Sequence, residues 1–238
     1  MLLLAVDTAG KKGSIAIAEA SIGSAPLEVL ELVSLDGGAF SAQLVPEVAA
    51  LLQKHGRGRT KHDISAFVVV TGPGSFTGLR VGLAAIKALA ETLNKPIVAI
   101  SLLEAIARSS AKPGRTVAIL DAGRNELYVG EYLIADHASA SLISERLLTR
   151  KEFLDRVHTS DSRPLEVISS DEVLANSFSP EGLLVRLVAY PDAGVIAQLG
   201  MERLRRGELV SVADLEPNYL RHNVASLPKA SVAKDHSK

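Results

Sequence analysis

Between Gly72 and Gly82 the chain reads GPGSFTGLRVG, placing four glycines and a proline directly after the apolar run Ala66 to Val70 and across the start of a helical pattern. A buried strand must therefore enter a tight glycine turn and leave it as a helix. Such a junction aims several backbone N–H groups, together with the positive end of a helix dipole, at one point, which is anion-binding geometry. Gly72 and Gly74 suit backbone conformations closed to other residues, Pro73 stiffens the turn, and Ser75 or Thr77 can cap the helix. Gly78 and Gly82, four apart, leave a flat surface against which another backbone can lie closely. The same geometry equally suits a structural turn that binds nothing. The block is not a Walker loop, because no Lys-Ser or Lys-Thr closes it, and it lacks GxGxxG spacing.

Around this block the pattern alternates. Leu2 to Asp7, Ser14 to Glu19 and Leu27 to Ser34 read as strands, the first two joined by a turn at Gly10 to Gly13. Ser41 to His55 reads as a helix with Pro46 near its first turn, Ile64 to Thr71 as a buried strand, and Thr77 to Leu93 as a long helix stopped by Asn94 and Pro96. Ile97 to Ile100 is a short strand and Leu102 to Arg108 a short helix. A second cycle then begins. Ile119-Leu120-Asp121-Ala122-Gly123-Arg124 aligns with Ala5-Val6-Asp7-Thr8-Ala9-Gly10, and Leu127 to Glu131 replays Ile15 to Glu19 after a turn two residues shorter. Later on, Lys151 to Val157 and Val195 to Arg206 read as helices, Leu165 to Ser169 and Leu183 to Ala189 as strands.

Length and composition bound the function. With 238 residues, 47% of them hydrophobic, the chain fits one large domain or two lobes of about 100 residues. A formal net charge of -1 supplies no global field for nucleic acid or an anionic membrane. Cysteine is absent, which removes disulfides, thiolate catalysis and thiolate metal sites. No apolar run approaches the roughly 18 residues of a membrane span, so a cytoplasmic protein is expected. Aromatic residues make up only 4%, a poor supply for a base-stacking surface.

Four stretches are more particular: Asp7-Thr8, the glycine block, Asp121-Ala122-Gly123-Arg124-Asn125-Glu126-Leu127-Tyr128, and Pro217-Asn218-Tyr219-Leu220-Arg221. Together they resemble the TsaB (also YeaZ) family, the non-catalytic partner subunit in bacterial threonylcarbamoyladenosine tRNA modification, from about Leu3 to Arg221. The resemblance implies an α/β chain with the actin-like ATPase / sugar kinase (ASKHA) fold, two lobes each built on a ribonuclease H-like mixed sheet. Residues 1-106 would form the first lobe, 107-224 the second, and 225-238 a flexible tail. It also implies a pseudo-enzyme scaffold that binds TsaD, dimerises with itself when alone, supports the TsaE ATPase on the TsaB-TsaD pair, and meets tRNA only through that complex. The modified base would be the adenosine at position 37, next to the anticodon, of tRNAs reading codons that start with A. Two departures stand out: the basic residue the family places straight after Asp-Ala is here Gly123, followed by Arg124, and its usual histidine before the first helix is here Phe40.

Both long helices carry more apolar residues than one buried stripe requires, so each is either central to a core or meets a partner. The partner-binding residues implied are Val45, Ala49, Leu52, Gly78, Leu79, Gly82, Leu83 and Ile86. The sister family TsaD carries an H-x-x-x-H metal motif where this chain has Leu102 and Ile106, so no metal, catalytic residue or cofactor is expected in the isolated chain, and ATP or ADP would sit at the heterodimer interface. The histidines, His55, His62, His137, His158, His222 and His236, show no ligand spacing. Three alternatives stay open. Asp7 and Asp121 can hold metal-phosphate in a phosphotransferase of the superfamily, or each can merely order its own turn by accepting backbone N–H bonds. A metallopeptidase would need ligands that the chain does not show. A tRNA-docking subunit would use Arg57, Arg59, Lys61 and the Lys229 to Lys238 tail.

Overall fold

Apolar runs punctuated by turns build two five-stranded mixed sheets among the residues that the computed structural model describes, 1–20, 27–55, 60–110, 112–136, 139–159 and 165–221. The first sheet holds β1 (Leu2–Asp7), β2 (Gly13–Glu19), β3 (Glu28–Leu35), β4 (Ile64–Gly72) and β5 (Ile97–Ser101) in the order β3-β2-β1-β4-β5. Its first three strands are antiparallel neighbours, while β4 and β5 add in parallel. The second sheet repeats this scheme with β6 (Gly114–Gly123), β7 (Glu126–Asp136), β8 (Ser139–Thr149), β9 (Leu165–Ser169) and β10 (Val185–Leu187) in the order β10-β9-β6-β7-β8. The repeat seen in the sequence is thus structural. Asp7 pairs with Ser14 and Asp121 with Leu127, so the second turn is one residue shorter, not two, a bulge between Asp121 and Gly123 shifting the register.

Both faces of the first sheet are covered, which is why β1 is apolar from Leu2 to Val6 and β4 from Ala66 to Val70. Leu4, Val6, Ile15, Ile17, Phe67 and Val69 pack on one side with α1 (Phe40–His55) and α2 (Phe76–Leu93). On the other side, Leu3, Ala5, Ala16, Ala18 and Val68 meet α3 (Leu102–Ala107) and a later helix, and the same cluster continues into Ala118, Tyr132 and Ile168 of the second sheet. The far face of the second sheet is covered by α4 (Arg150–Thr159) and α5 (Glu172–Asn176), where Phe153 and Phe178 stack edge to face. The later helix is α6 (Ala193–Arg205), and it completes a middle layer with α3. A Cβ at Gly200 would fall within 3.0 Å of Val68, so only glycine lets α6 lie this close to β4.

Three findings differ from the sequence reading. The division into 1-106 and 107-224 does not describe the packing: α6 lies on the first sheet, Val210 N–H donates to Ile97 O at 2.9 Å, and Leu215 joins the core under α1 and α2. Pro46 sits well inside α1, because that helix begins at Phe40. The sequence pattern does not mark the strand β8. The tail 225-238 and the basic residues Arg57 and Arg59 lie outside the described residues. Among the described residues no helix is long and apolar enough to cross a membrane.

Candidate functional site

Strand β4 delivers the glycine block, whose turn is made by Gly72 at φ 112° and a cis bond to Pro73. Ser75 then caps α2, its hydroxyl accepting the Gly78 N–H at 3.2 Å, while its own N–H donates to Ala9 O at 2.8 Å. These bonds engage amides that an anion would otherwise take. Cβ atoms at Gly74, Gly78 and Gly82 would each fall within 3.0 Å of Ala9 O, Thr8 O and Thr8 Oγ1 respectively. Thr8 Oγ1 in turn donates to Gly78 O at 2.8 Å. The flat helix surface therefore receives the end of this chain's own first strand, and the backbone that lies against it is internal.

The two aspartates play matching roles in their turns. Asp7 Oδ1 accepts the Ala9 N–H at 2.8 Å, and Asp121 Oδ1 accepts the Gly123 N–H at 2.9 Å, the turn-ordering option. Their surroundings differ. Asp121 is exposed, whereas Asp7 is completely buried, with the Tyr190 hydroxyl beside its carboxyl. Burial pushes the Asp7 carboxyl up to about 6, against the lowering influence of the Ala9 amide and the Tyr190 hydroxyl. That hydroxyl lies over the Gly10 turn. It is itself pushed up, by burial first and by Asp7 second.

Between the lobes opens a cleft of about 1030 Å³, bordered by the first hairpin turn, the glycine block, Asp121, Tyr128 and Tyr190. Leu102 lines it and Ile106 is fully buried behind, so the positions of the sister family's histidines face hydrocarbon packing. Phe40 is 6% exposed and packs against Gly13 and Gly78, filling space where a polar side chain was the family's pattern. Among the described residues no group of three or more His, Asp or Glu is placed to hold a metal.

The implied partner-binding residues separate into two groups. Gly78, Leu79, Gly82, Leu83 and Ile86 of α2 and Leu52 of α1 are buried in the chain's own core, where α2 covers β4 and β1. They are core residues, a correction to the expected surface. Val45, 61% exposed, and Ala49 remain outward, with Ala42, Pro46 and Ala50 beside them and Ala84 and Ala88 on the neighbouring α2.

The motif Pro217 to Arg221 makes contacts that its sequence does not reveal. Asn218 N–H donates to Thr71 O at 2.8 Å, and its amide donates to Glu145 Oε2 at 2.5 Å. Glu145 also accepts from Ser101 and Tyr132, so four segments meet at one carboxylate. Arg221 donates to Ala122 O at 2.9 Å and pairs with Glu126 at 2.5 Å, bracing the second hairpin. Tyr219 accepts from Arg80 Nε at 3.0 Å and stacks on Phe76, over whose ring the Arg80 guanidinium sits at 3.7 Å.

Residues 37–229 match the family model described as TsaD: tRNA N6-adenosine threonylcarbamoyltransferase. The tRNA threonylcarbamoyladenosine biosynthesis protein TsaB of Bacillus subtilis (strain 168) is 27% identical over 228 residues, covering 93% of this chain and 94% of that one. The protein of the same name from Escherichia coli (strain K12) is 26% identical, covering 94% and 96%. The solved structure of YeaZ from Pseudomonas aeruginosa superposes with a TM-score of 0.71 at 22% identity, over 92% of this chain and all of that one, and so shares the two-lobed fold.

Proposed function

The chain belongs to the TsaB (YeaZ) family, whose relatives are named for tRNA threonylcarbamoyladenosine biosynthesis, and on that premise we propose that it is the non-catalytic subunit that binds and supports TsaD, the threonylcarbamoyltransferase. The observation that carries this reading is the outward stripe Ala42, Val45, Pro46, Ala49 and Ala50 on α1, set beside the small exposed residues Ala84 and Ala88 of α2. An apolar stripe of short side chains lets the helices of another subunit approach closely, and that apolar surface returns to water if the partner leaves. The buried hydrocarbon of Leu102 and Ile106 supports leaving the chemistry to the partner.

We place the chain's self-association on the same stripe, the TsaE contact on the assembled pair, and ATP or ADP at the junction between the subunits. The two repeated mixed sheets are read as the lobes of an actin-like ATPase / sugar kinase fold, and the chain as cytoplasmic. A phosphotransferase would need both aspartates turned toward a nucleotide in the cleft; Asp121 borders it, but Asp7 is closed off beneath the first hairpin and accepts from its own turn.

Val45→Arg and Ala49→Arg test the face. Both residues are exposed, so the variants fold with an unchanged melting temperature, while affinity for TsaD falls at least tenfold, roughly the effect of removing one interface hot spot. Modification by the reconstituted system falls with it. Wild-type affinity in both variants would move the interface elsewhere.

A further inference from the structure

On the outer face of the second sheet, Val117, Ile119 and Val129 lie beneath α4 and its Phe153. Strand alternation puts Arg115 of β6, Glu131 of β7, and Ser144 and Arg146 of β8 on that same face, where the sheet extends past the apolar patch. There they meet Arg156 and Thr159 from the last turn of α4 and enclose, with Ile143, a pocket of about 310 Å³. Glu131 anchors the group. Its side chain is 10% exposed, accepts from Arg115 Nη2 at 2.7 Å and faces Arg156 Nη1 at 3.6 Å. Arg146 adds a third, exposed guanidinium.

Among the described lining residues Glu131 is the one carboxylate, and Arg146 and Arg156 bring exposed guanidiniums to the pocket. In a chain of net charge -1 this basic cluster is local, and Glu131 orients it by pairing with Arg115 and facing Arg156. A guanidinium fork matches the paired oxygens of a phosphate, and the Ser144 hydroxyl is available beside it. The pocket is open and rimmed by polar groups, and among the described residues no aromatic ring lines it for a base to stack on. It also lies on the opposite outer layer of the molecule from α1 and α2, so a partner seated on those helices leaves it uncovered.

We propose that this pocket takes a backbone phosphodiester of the tRNA substrate, giving the second lobe a direct docking contact. The identity of the RNA rests on the function proposed above; the phosphate chemistry rests on the arginines alone. The contact differs from the basic loop and tail anticipated from the sequence.

The test measures affinity for an unmodified tRNA transcript across a salt series, with the full chain alone and with the chain bound to TsaD. Arg146→Gln weakens binding roughly three- to fivefold, and the double variant Arg146→Gln with Arg156→Gln about tenfold or more, the slope of log affinity against log salt falling by about 0.7–0.9 for each arginine removed from a phosphate. Melting temperature and TsaD affinity stay at wild-type values, and Arg146→Lys recovers part of the affinity. Unchanged affinity and slope in the double variant overturn the proposal, as does wild-type protein that binds no tRNA in either arm. A decrease that tracks weakened TsaD binding or a lowered melting temperature overturns it too, assigning the arginines to a protein contact or to folding. Binding of inorganic phosphate with unaltered tRNA affinity would make this a small-anion site only, and the tRNA proposal falls. Failure of the wild-type chain to bind TsaD sinks the scaffold reading, and the pocket is then judged on the isolated chain's tRNA affinity.

Discussion

Asp7 and Asp121 hold the same turn from the same strand end, yet only one of them does so without water. Asp7 has one oxygen on the Ala9 amide and lies against the Tyr190 hydroxyl, and burial raises its pKa from 3.8 to about 6. A raised carboxyl favours the folded state below the unfolded pKa, and that advantage is lost as pH rises through the folded pKa. Asp7 therefore costs little at pH 4 and about 3 kcal/mol at pH 8, where it is ionised in both states. Asp7→Asn keeps an oxygen for the Ala9 amide and removes the buried charge. Its melting temperature should exceed that of the wild type at pH 8, and the gap should be wider there than at pH 5 by about 3–5 °C. A gap that narrows with rising pH would mean that the charge itself is used. If both aspartates only order their turns, Asp7→Asn and Asp121→Asn also leave threonylcarbamoyl transfer in the reconstituted system within about tenfold.

Helix α2 is legible in the sequence as an element, with Ser75 or Thr77 as its cap, of which the structure uses Ser75, and Asn94 as its stop, left-handed at φ 50°, but its role is not legible from the same residues. A small-residue step such as Gly78 and Gly82 looks identical whether its neighbour is another subunit or the chain's own Thr8, and only the assembled sheet decides between them. The duplicated hairpin is legible because a strand-end aspartate followed by a turn repeats in type and order. Strand β8 is not, since its side chains are mostly exposed or half-exposed, Leu142 and Ile143 among them, and hydrophobic alternation reports burial rather than pairing. The burial of α2 sets an expectation that separates core from interface. Leu83→Asp, at a residue 4% exposed, places an unpaired charge under the sheet and costs on the order of 3–5 kcal/mol, so the protein loses its cooperative melt instead of becoming a folded monomer. Ala84→Asp, one residue on and exposed, leaves the melt intact and weakens pairing with TsaD. A folded, monomeric Leu83→Asp protein would return that residue to the interface.

At the scale of the whole molecule, the last third of the described chain closes what its first third begins. The inner face of the first sheet, with Leu3, Ala5, Ala16, Ala18 and Val68, is covered by Ile196, Ala197, Leu199 and Met201 of α6, a helix nearly two hundred residues downstream of β1. The link is polar as well: Ala193 N–H donates to Ser14 Oγ at 2.8 Å, Arg203 donates to Ala99 O at 2.6 Å and pairs with Glu104, and Arg108 pairs with Glu202 at 2.6 Å. Division at residue 106 would strip α6 from that face, leaving only α3 on it, and apolar surface returned to water costs about 25 cal/mol per Å². A fragment of residues 1–106 should therefore lack a cooperative thermal transition and bind apolar dyes. Joining residues 189–221 to it through a flexible linker should restore a sigmoidal melt, because α6, the Val210 bridge to Ile97 and the Asn218 bond to Thr71 are all regained. The two circular dichroism melts decide the matter. A cooperative melt in the 1–106 fragment alone would show that the first lobe folds without α6, and the two lobes would then be independent units that merely share a middle layer.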